Sequence, residues 1–277
     1  GKSEGLKIKS EELRLSSQTF WSGGAHISGG VMSGAVNSIL EVKSGRTEYI
    51  LSPVFEPVWN QTGKIFAFEM LSDIRSAKDG RKICASVFFR SAPPDIQYKI
   101  LISQLKTAET LHKWCLQKKI MLSVNISRVV ALYLRKHGIP GRPGTHIRLE
   151  VSEDFPAVAL KPGDDPLLRF LSERFTLWLD DFGSGNAGLM WGLSGMFERV
   201  KISHEFFHYA LKNRCAMSLL HAVADSVACH NRGVILEGVE NEALFRIARD
   251  MNVQGCQGWL YRRVEADELS AITELHG

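Results

Sequence analysis

The sequence lacks the features that mark several large classes of protein. It has no apolar run of about 18 residues, so we expect no membrane-spanning helix, and it has no signal-peptide pattern. Its five cysteines are scattered, and none forms a Cys-x-x-Cys pair. This cysteine usage argues against a disulfide framework or a zinc site, and it predicts reduced thiols in a cytoplasmic setting.

Strong charge of one sign is also missing. Lysine and arginine number 34 against 30 acidic residues, a net charge of +4, and no run of five basic residues occurs. We therefore expect no DNA partner and no direct insertion into a membrane. Because the chain begins at Gly1 without a methionine, we expect a piece of a longer protein, with an upstream sensory domain outside it.

Glycine is dense only near the start, in the stretch "SGGAHISGGVMSG". No Gly-x-x-x-x-Gly-Lys-Ser/Thr pattern accompanies it, so a phosphate-binding loop is not indicated. We predict that residues 1–46 form a flexible or strand-and-turn extension, and that residues 47–277 form a single domain.

From residue 50 onward, strand patterns alternate with helix patterns. Strands are predicted at 49–59, 65–71, 120–127, 146–153, 176–185, 199–203, 233–240 and 253–259, and helices at 100–119, 129–138, 166–175, 211–230 and 242–251. Such alternation implies an α/β protein with parallel strands. About eight strands suit a closed (β/α)8 barrel of the TIM type. An open doubly wound sheet is the alternative, although no glycine fingerprint follows the first strand.

A polar side chain stands near the carboxyl end of most predicted strands. The residues are Glu69, Asn125, Glu150, Asp180, Lys201, Glu237 and Gln257. Most intervals between them fit one βα unit of about 30 residues, and the first is long enough for two. In a barrel these residues would share one rim. Singly, each is typical of a turn or helix cap.

Together the rim residues predict a site for Mg²⁺ or Mn²⁺, since carboxylate and amide oxygens are ligands that hard divalent cations prefer. The stretch "TLWLDDFGSG" places Asp180 beside Asp181. Adjacent side chains on a regular strand point to opposite faces, and like charges repel. Two carboxylates here would make sense if they served two ions about 4 Å apart, the arrangement used for phosphoester hydrolysis.

The ordered motifs resemble the EAL domains, which hydrolyse the bacterial messenger cyclic di-GMP. The resemblance covers roughly residues 50–270. It is carried by "FEMLS" at Glu69, "SVNIS" at Asn125, "LEVSE" at Glu150 and Glu153, "DDFGSG" at Asp180, "VKIS" at Lys201, "LEGVE" at Glu237 to Glu240, and "QG" at Gln257.

The resemblance implies roles for these residues. Ligands of the two ions would be Glu69, Asn125, Glu150, Asp180, Asp181 and Glu237. Lys201, Glu237 and Gln257 would hold and polarise the attacking water, and Glu153 would anchor the mobile "DDFGSGNAG" loop. Leu71, Asp73, Glu240 and Arg263 would lie on the substrate side. Mg²⁺ or Mn²⁺ would support turnover to linear pGpG, and Ca²⁺ would inhibit it.

Departures from the family pattern fall on the substrate side. The family's Arg after its Glu-Ala-Leu motif is Asp73 here, its early Gln is Glu56, and the Asp of Lys-Ile-Asp is Ser203. Asn186-Ala187 and Val264 also differ. Two functions therefore stay open. One is an active cyclic di-GMP phosphodiesterase, and the other is a weak or inactive EAL domain that serves as a cyclic di-GMP receptor or protein-interaction module. A homodimer is compatible with either.

Overall fold

The computed structural model of the chain describes residues 39–139, 141–152, 155, 161–185 and 188–269. The strands within these residues are β1 (Leu40–Ser44), β2 (Thr47–Trp59), β3 (Ile65–Ser76), β4 (Lys82–Ile83), β5 (Met121–Ile126), β6 (Ile147–Ser152), β7 (Thr176–Phe182), β8 (Arg199–Ile202), β9 (Gly233–Glu237), β10 (Gly255–Gln257) and β11 (Val264–Glu265). The helices are α1 (Ala85–Ser91), α2 (Pro94–Thr110), α3 (His112–Lys118), α4 (Arg128–His137), α5 (Pro166–Ser172), α6 (Leu189–Gly192), α7 (His204–Leu211), α8 (Arg214–His230) and α9 (Glu242–Arg249).

Eight of these strands close into a barrel, which confirms the predicted fold class. Their order around the ring is β2, β10, β9, β8, β7, β6, β5 and β3, and the pairing of β2 with β3 completes it. From β5 to β9, each strand is followed by one or more helices before the next strand begins.

The prediction that all strands run parallel is wrong for β2. This strand pairs antiparallel with both of its barrel neighbours, β3 and β10. Only a short turn, from Asn60 to Lys64, joins β2 to β3, and the side-chain oxygen of Asn60 accepts hydrogen bonds from the backbone N–H groups of Thr62 at 2.9 Å and Lys64 at 3.0 Å. A parallel neighbour needs a crossover of about a dozen residues, so this connection can form only a hairpin.

The 56-residue interval between Glu69 and Asn125 adds no further barrel strand, and all of it is described. It contains the edge strand β4 and helices α1 to α3, while β3 pairs directly with β5. The helix predicted over residues 100–119 begins at Pro94 and is divided at Leu111. The helix predicted over 211–230 begins at Arg214, because the side chain of Asn213 caps α8, and Leu211 is the last residue of α7.

Side-chain alternation along the strands fills the barrel in layers. A fully buried apolar cluster is formed by Val58, Ala67, Trp178 and Ile235. Two residues further along three of these strands stand Glu69, Asp180 and Glu237. Because residues i and i+2 share a face of a strand, the polar residues lie one layer nearer the carboxyl ends. An apolar floor thus closes the barrel beneath a polar rim.

Outside the ring, β1 pairs antiparallel with β2, so part of the predicted extension joins the sheet. Residues 1–38 lie outside the described residues, and the domain boundary at residue 46 stays a prediction. All five cysteines are free thiols. Among the described residues, no helix combines the length and the apolarity that crossing a bilayer would need.

Candidate functional site

The structure brings the seven predicted rim residues together at the carboxyl ends of the strands. They are Glu69 on β3, Asn125 on β5, Glu150 on β6, Asp180 on β7, Lys201 on β8, Glu237 on β9 and Gln257 on β10. The strand register places Asn125 beside Glu150 and Gln257 beside Glu237. One side chain from each of seven neighbouring strands therefore contributes to a single site.

The ammonium group of Lys201 lies at the centre of this rim. Its Nζ is 2.8 Å from carboxylate oxygens of Glu150 and Asp180, and 3.1 Å from those of Glu69 and Glu237. The lysine is completely buried. Burial alone would lower its pKa, but the surrounding carboxylates outweigh that effect and raise the pKa of Lys201 well above its usual value. The lysine is therefore a permanent cation inside the site.

A hydrogen-bonded chain leads from Glu69 to the edge of the rim. The carboxylate of Glu69 accepts from the amide of Asn125 at 2.6 Å and from the amide of Gln257 at 2.7 Å. The same Gln257 nitrogen donates to Glu56 at 3.2 Å, and Arg263 Nε lies 2.5 Å from the other oxygen of Glu56. The position that departs from the family pattern, Glu56, thus connects the predicted substrate residue Arg263 to Gln257, and through Gln257 to the predicted metal ligand Glu69.

Ser123 is a site residue that the sequence reasoning missed. Its hydroxyl donates to the carboxylate of Glu150 at 2.5 Å, and both side chains are fully buried. Ser123 lies two residues before Asn125 on β5, so it shares the face that points into the barrel. The alternation that identified Asn125 could have identified it. Burial, followed by the nearby carboxylate of Glu69, raises the pKa of Glu150 well above its usual value.

The backbone at Asp181 explains how two adjacent carboxylates reach one site. Asp181 has φ of +56°, and the pairing of β7 with β8 is irregular between Leu179 and Phe182. A non-glycine residue in the left-handed region is uncommon, and such conformations recur at functional sites. The break in strand geometry lets ligand oxygens of Asp180, Asp181 and Glu237 lie within 4.8 Å of one another. Burial and the charge of Asp180 raise the pKa of Asp181 to about 7.

The donor set fits divalent cations. When ionised, the four rim carboxylates and that of Asp181 carry five negative charges, and Lys201 reduces them to four, the charge that two divalent ions would neutralise. Burial is also the chief cause that raises the pKa values of Asp180 and Glu237. The buried Oε1 of Gln257 has no hydrogen-bond partner among the described residues. Carboxylate and amide oxygens converging on one site are the ligands that Mg²⁺ or Mn²⁺ would require.

Two of the predicted substrate-side residues, Leu71 and Asp73, lie beyond Glu69 along β3. Asp73 is bound by Arg75 Nε at 2.8 Å and by Lys82 Nζ at 3.2 Å. Its pKa is held below the usual value because these two cations outweigh the effect of burial. Leu71 is half-buried on β3 and pairs with Val54. Their roles in substrate binding stay predictions.

The remaining predicted positions divide in two. Glu240 lines a cavity beside the rim, where its carboxylate is 3.5 Å from His204 Nε2. The predicted loop anchor Glu153, together with Asn186 and Ala187, lies outside the described residues.

This cavity encloses about 230 Å³. Its lining includes Asp181, Glu237, Gln257 and Trp259, and Trp259 is 78% exposed. Small-molecule sites usually enclose about 300–1,000 Å³. A dinucleotide would therefore extend beyond this cavity across the open rim.

Comparison with known proteins gives one consistent family. Residues 46–263 match the EAL domain family. The chain is 20% identical over 223 residues to the anti-FlhC(2)FlhD(4) factor YdiV of Salmonella typhimurium (strain LT2), covering 79% of this chain and 94% of that protein. It is 22% identical over 213 residues to the cyclic di-GMP phosphodiesterase PdeH of Escherichia coli (strain K12), covering 76% and 82%.

A solved structure agrees in fold. The crystal structure of the EAL-like domain protein YdiV has a TM-score of 0.71 to this chain at 18% identity, and the match covers 82% of this chain and 97% of that one. At this identity the likeness concerns the fold alone. The family match extends over most of the sequence, however, and the chain belongs to the EAL domain family.

Proposed function

We propose that this EAL domain acts mainly by docking onto a protein partner, and that it binds cyclic di-GMP weakly at its rim and hydrolyses it weakly or not at all. The observation that carries the proposal is the pairing of Asp73 with Arg75 and Lys82. EAL domains usually have an arginine where Asp73 stands. Here that position supplies a carboxylate, and it also occupies two cations that a phosphate would otherwise attract.

Arg263 supports the same conclusion. Its guanidinium is held by Glu56, so this cation also has a carboxylate partner. A cavity next to Asp73 is lined by Arg75, Lys82 and Arg263. Each of these cations would have to leave an ion pair before binding a phosphate of the ligand. The substrate side of the rim is therefore poorly prepared for a dianionic dinucleotide, and weak affinity is expected.

The rim also offers a surface suited to a protein. Trp259 is largely exposed beside the acidic residues Glu56, Glu205 and Glu240. Large aromatic side chains dominate binding energy at interfaces. A partner with an apolar pocket ringed by lysine or arginine would complement this surface. Seven of the curated relatives bear the name anti-FlhC(2)FlhD(4) factor, which describes action on other proteins.

A second candidate is a cyclic di-GMP phosphodiesterase, favoured by the intact acidic rim. Divalent ions held by Glu69, Asn125, Glu150, Asp180 and Asp181 would supply an activated water and stabilise charge on phosphorus. Lys201 would add a fixed positive charge next to the reacting phosphate. PdeH, named as a phosphodiesterase, shares 22% identity with the chain.

Turnover separates the two candidates. Cyclic di-GMP would be incubated with the purified chain in Mg²⁺ or Mn²⁺, and the linear dinucleotide measured. Glu69→Ala is the matched blank, because it removes a carboxylate that contacts Lys201 while adding no bulk. Under the first proposal, wild-type turnover stays close to that of the Glu69→Ala blank. A wild-type rate of several per minute that Glu69→Ala abolishes would establish the second candidate instead.

Docking has its own test. Wild type and Trp259→Ala would be immobilised and exposed to extracts of the source bacterium, and retained proteins identified by mass spectrometry. Leu219→Ala is the control, since Leu219 is a comparably exposed apolar residue on α8. We expect a partner retained by wild type and by Leu219→Ala and lost with Trp259→Ala. Identical retention by all three proteins would contradict a role for this surface.

A further inference from the structure

A second cluster of metal-ligand side chains lies at the opposite end of the barrel. Glu109 is in the last turn of α2, His112 begins α3, and His146 immediately precedes β6. Ligand atoms of these three residues all lie within 4.8 Å of one another. Since β6 carries Glu150 toward the rim, the segment before β6 belongs to the amino-terminal end of the barrel. This cluster is therefore separate from the carboxylate site.

The orientation of His146 is fixed. Its side chain is buried, and Nε2 lies 2.7 Å from the carbonyl of Ala108, to which it donates. The backbone is held as well, because Leu122 N–H donates to the His146 carbonyl at 2.9 Å. With Nε2 protonated, Nδ1 carries the lone pair. A histidine that donates one ring N–H to a backbone carbonyl and presents the other nitrogen is the usual arrangement of a metal ligand.

Two buried acceptors of the cluster face a common gap. His146 Nδ1 and Glu109 Oε2 make no hydrogen bond within the described part of the chain. A Cβ built on Gly144 would lie 2.6 Å from that nitrogen and 3.0 Å from that oxygen. Both atoms therefore border one small gap, which glycine leaves open. Two lone pairs facing the same buried gap are unfavourable unless a cation or a donor lies between them.

The charge around the gap is favourable to a cation. With Nε2 donating to the Ala108 carbonyl and Nδ1 unpartnered among the described residues, His146 presents a neutral imidazole, the form that binds metals. Arg148, a cation that acts on His146, is paired with Glu198 through two hydrogen bonds of 2.6 and 3.1 Å. Glu109 adds a carboxylate, and its other oxygen lies 3.5 Å from His112 Nδ1.

We propose that Glu109, His112 and His146 form a binding site for a zinc-class transition-metal ion that ties the α2–α3 corner to the segment entering β6. Two imidazoles and one carboxylate are zinc ligands, with a water to complete the tetrahedron, whereas Mg²⁺ prefers all-oxygen sites. Tetrahedral zinc needs ligand atoms about 3.3 Å apart. The side chains of Glu109 and His112 are 26% and 38% exposed, so both can rotate inward against the fixed His146.

Zinc titration of the purified chain tests the site. Millimolar Mg²⁺ would be present to saturate the oxygen ligands of the rim. Every protein would also carry His208→Ala, because the neighbouring imidazoles of His204 and His208 could otherwise bind Zn²⁺ as well. We expect one tightly bound Zn²⁺ per chain. Co²⁺ in its place should give the intense visible absorption of a tetrahedral ion with nitrogen ligands.

Variants of the two partly exposed ligands decide the result, since they avoid the buried His146. His112→Ala and Glu109→Ala should each weaken Zn²⁺ binding by about tenfold or more, with unchanged circular dichroism. His137→Ala, an exposed histidine on α4, should bind as the parent does. A smaller loss in either ligand variant, an equal loss in His137→Ala, or no zinc binding by the parent would overturn the proposal. In the last case a buried water would be the donor between the two acceptors.

Discussion

Replacing Asp73 by asparagine should tighten the binding of cyclic di-GMP. The substitution keeps the shape of the side chain and removes its charge. It also releases Arg75 and Lys82, whose cationic groups lie 2.8 and 3.2 Å from the carboxylate. A repulsive charge would disappear, and two attractive charges would become available to a phosphate, so affinity should rise.

Coulomb's law gives the size of the effect. For a carboxylate and a phosphate about 6 Å apart, an effective dielectric constant of about 20 gives a repulsion of roughly 3 kcal/mol. Arg75 and Lys82 have side chains that are 52% and 70% exposed, so water and salt screen much of it. About 1.4 kcal/mol, a tenfold decrease in Kd, should remain. Loss of these exposed ion pairs should cost at most about 1 kcal/mol of stability.

Isothermal titration calorimetry at low and high salt measures this prediction. Asp79→Asn is the matched control, because Asp79 is an exposed acid of the turn between β3 and β4 that bonds to the backbone of Arg81. The Asp73→Asn gain should shrink as salt increases. A Kd within twofold of wild type at low salt, or the same gain in Asp79→Asn, would refute the electrostatic argument.

Three further predictions concern cations and protons. Lys201→Met should lower the free energy of unfolding of the metal-free protein by about 3 kcal/mol or more, because it leaves buried carboxylates without their cation. Mn²⁺ should then raise the Tm of this variant by more than it raises the Tm of wild type. An equal rise in both proteins would count against neutralisation of the rim by two ions. If turnover is detected, Mg²⁺ or Mn²⁺ should support it and Ca²⁺ should not. Ca²⁺ takes more ligands than Mg²⁺, and its ligand distances are about 2.3–2.6 Å against about 2.0–2.1 Å for Mg²⁺. Equal rates with all three ions would argue against the two-ion mechanism. Asp165 caps α5 and lies 2.6 Å from Arg128, and these contacts outweigh burial and lower its pKa. A carboxyl group whose pKa is lower in the folded state stabilises the fold at pH values above its unfolded pKa, and this stabilisation is lost as the pH falls through the folded pKa. In urea unfolding, Asp165→Asn should therefore cost about 1–2 kcal/mol at pH 7 and progressively less below about pH 4. A cost that does not depend on pH would contradict the assignment.

The sequence predicts the rim because strand spacing and alternation alone determine it. Glu69, Asn125 and Glu150 need only lie at the carboxyl ends of parallel strands to meet. The antiparallel direction of β2 could also have been predicted from the sequence, since the connection "NQTGK" between β2 and β3 is too short for a crossover. In contrast, the central position of Lys201 depends on four side chains converging in three dimensions, and no spacing rule specifies that.

Position 73 shows most clearly what pattern reasoning could not supply. The sequence identifies Asp73 as a departure, and the structure adds that β4 folds back to bring Lys82 to it. The same holds for Glu56, whose partner Arg263 lies 207 residues away in the chain. Each acid that replaces a family residue has its own counter-cation, so the substitutions form satisfied ion pairs and do not leave unpaired charges. The carboxylates and amides around Lys201 are meanwhile complete. If the rim binds cations and cyclic di-GMP as proposed, the two properties are separable, because reversing the departures at positions 56 and 73 alters none of the proposed ion ligands.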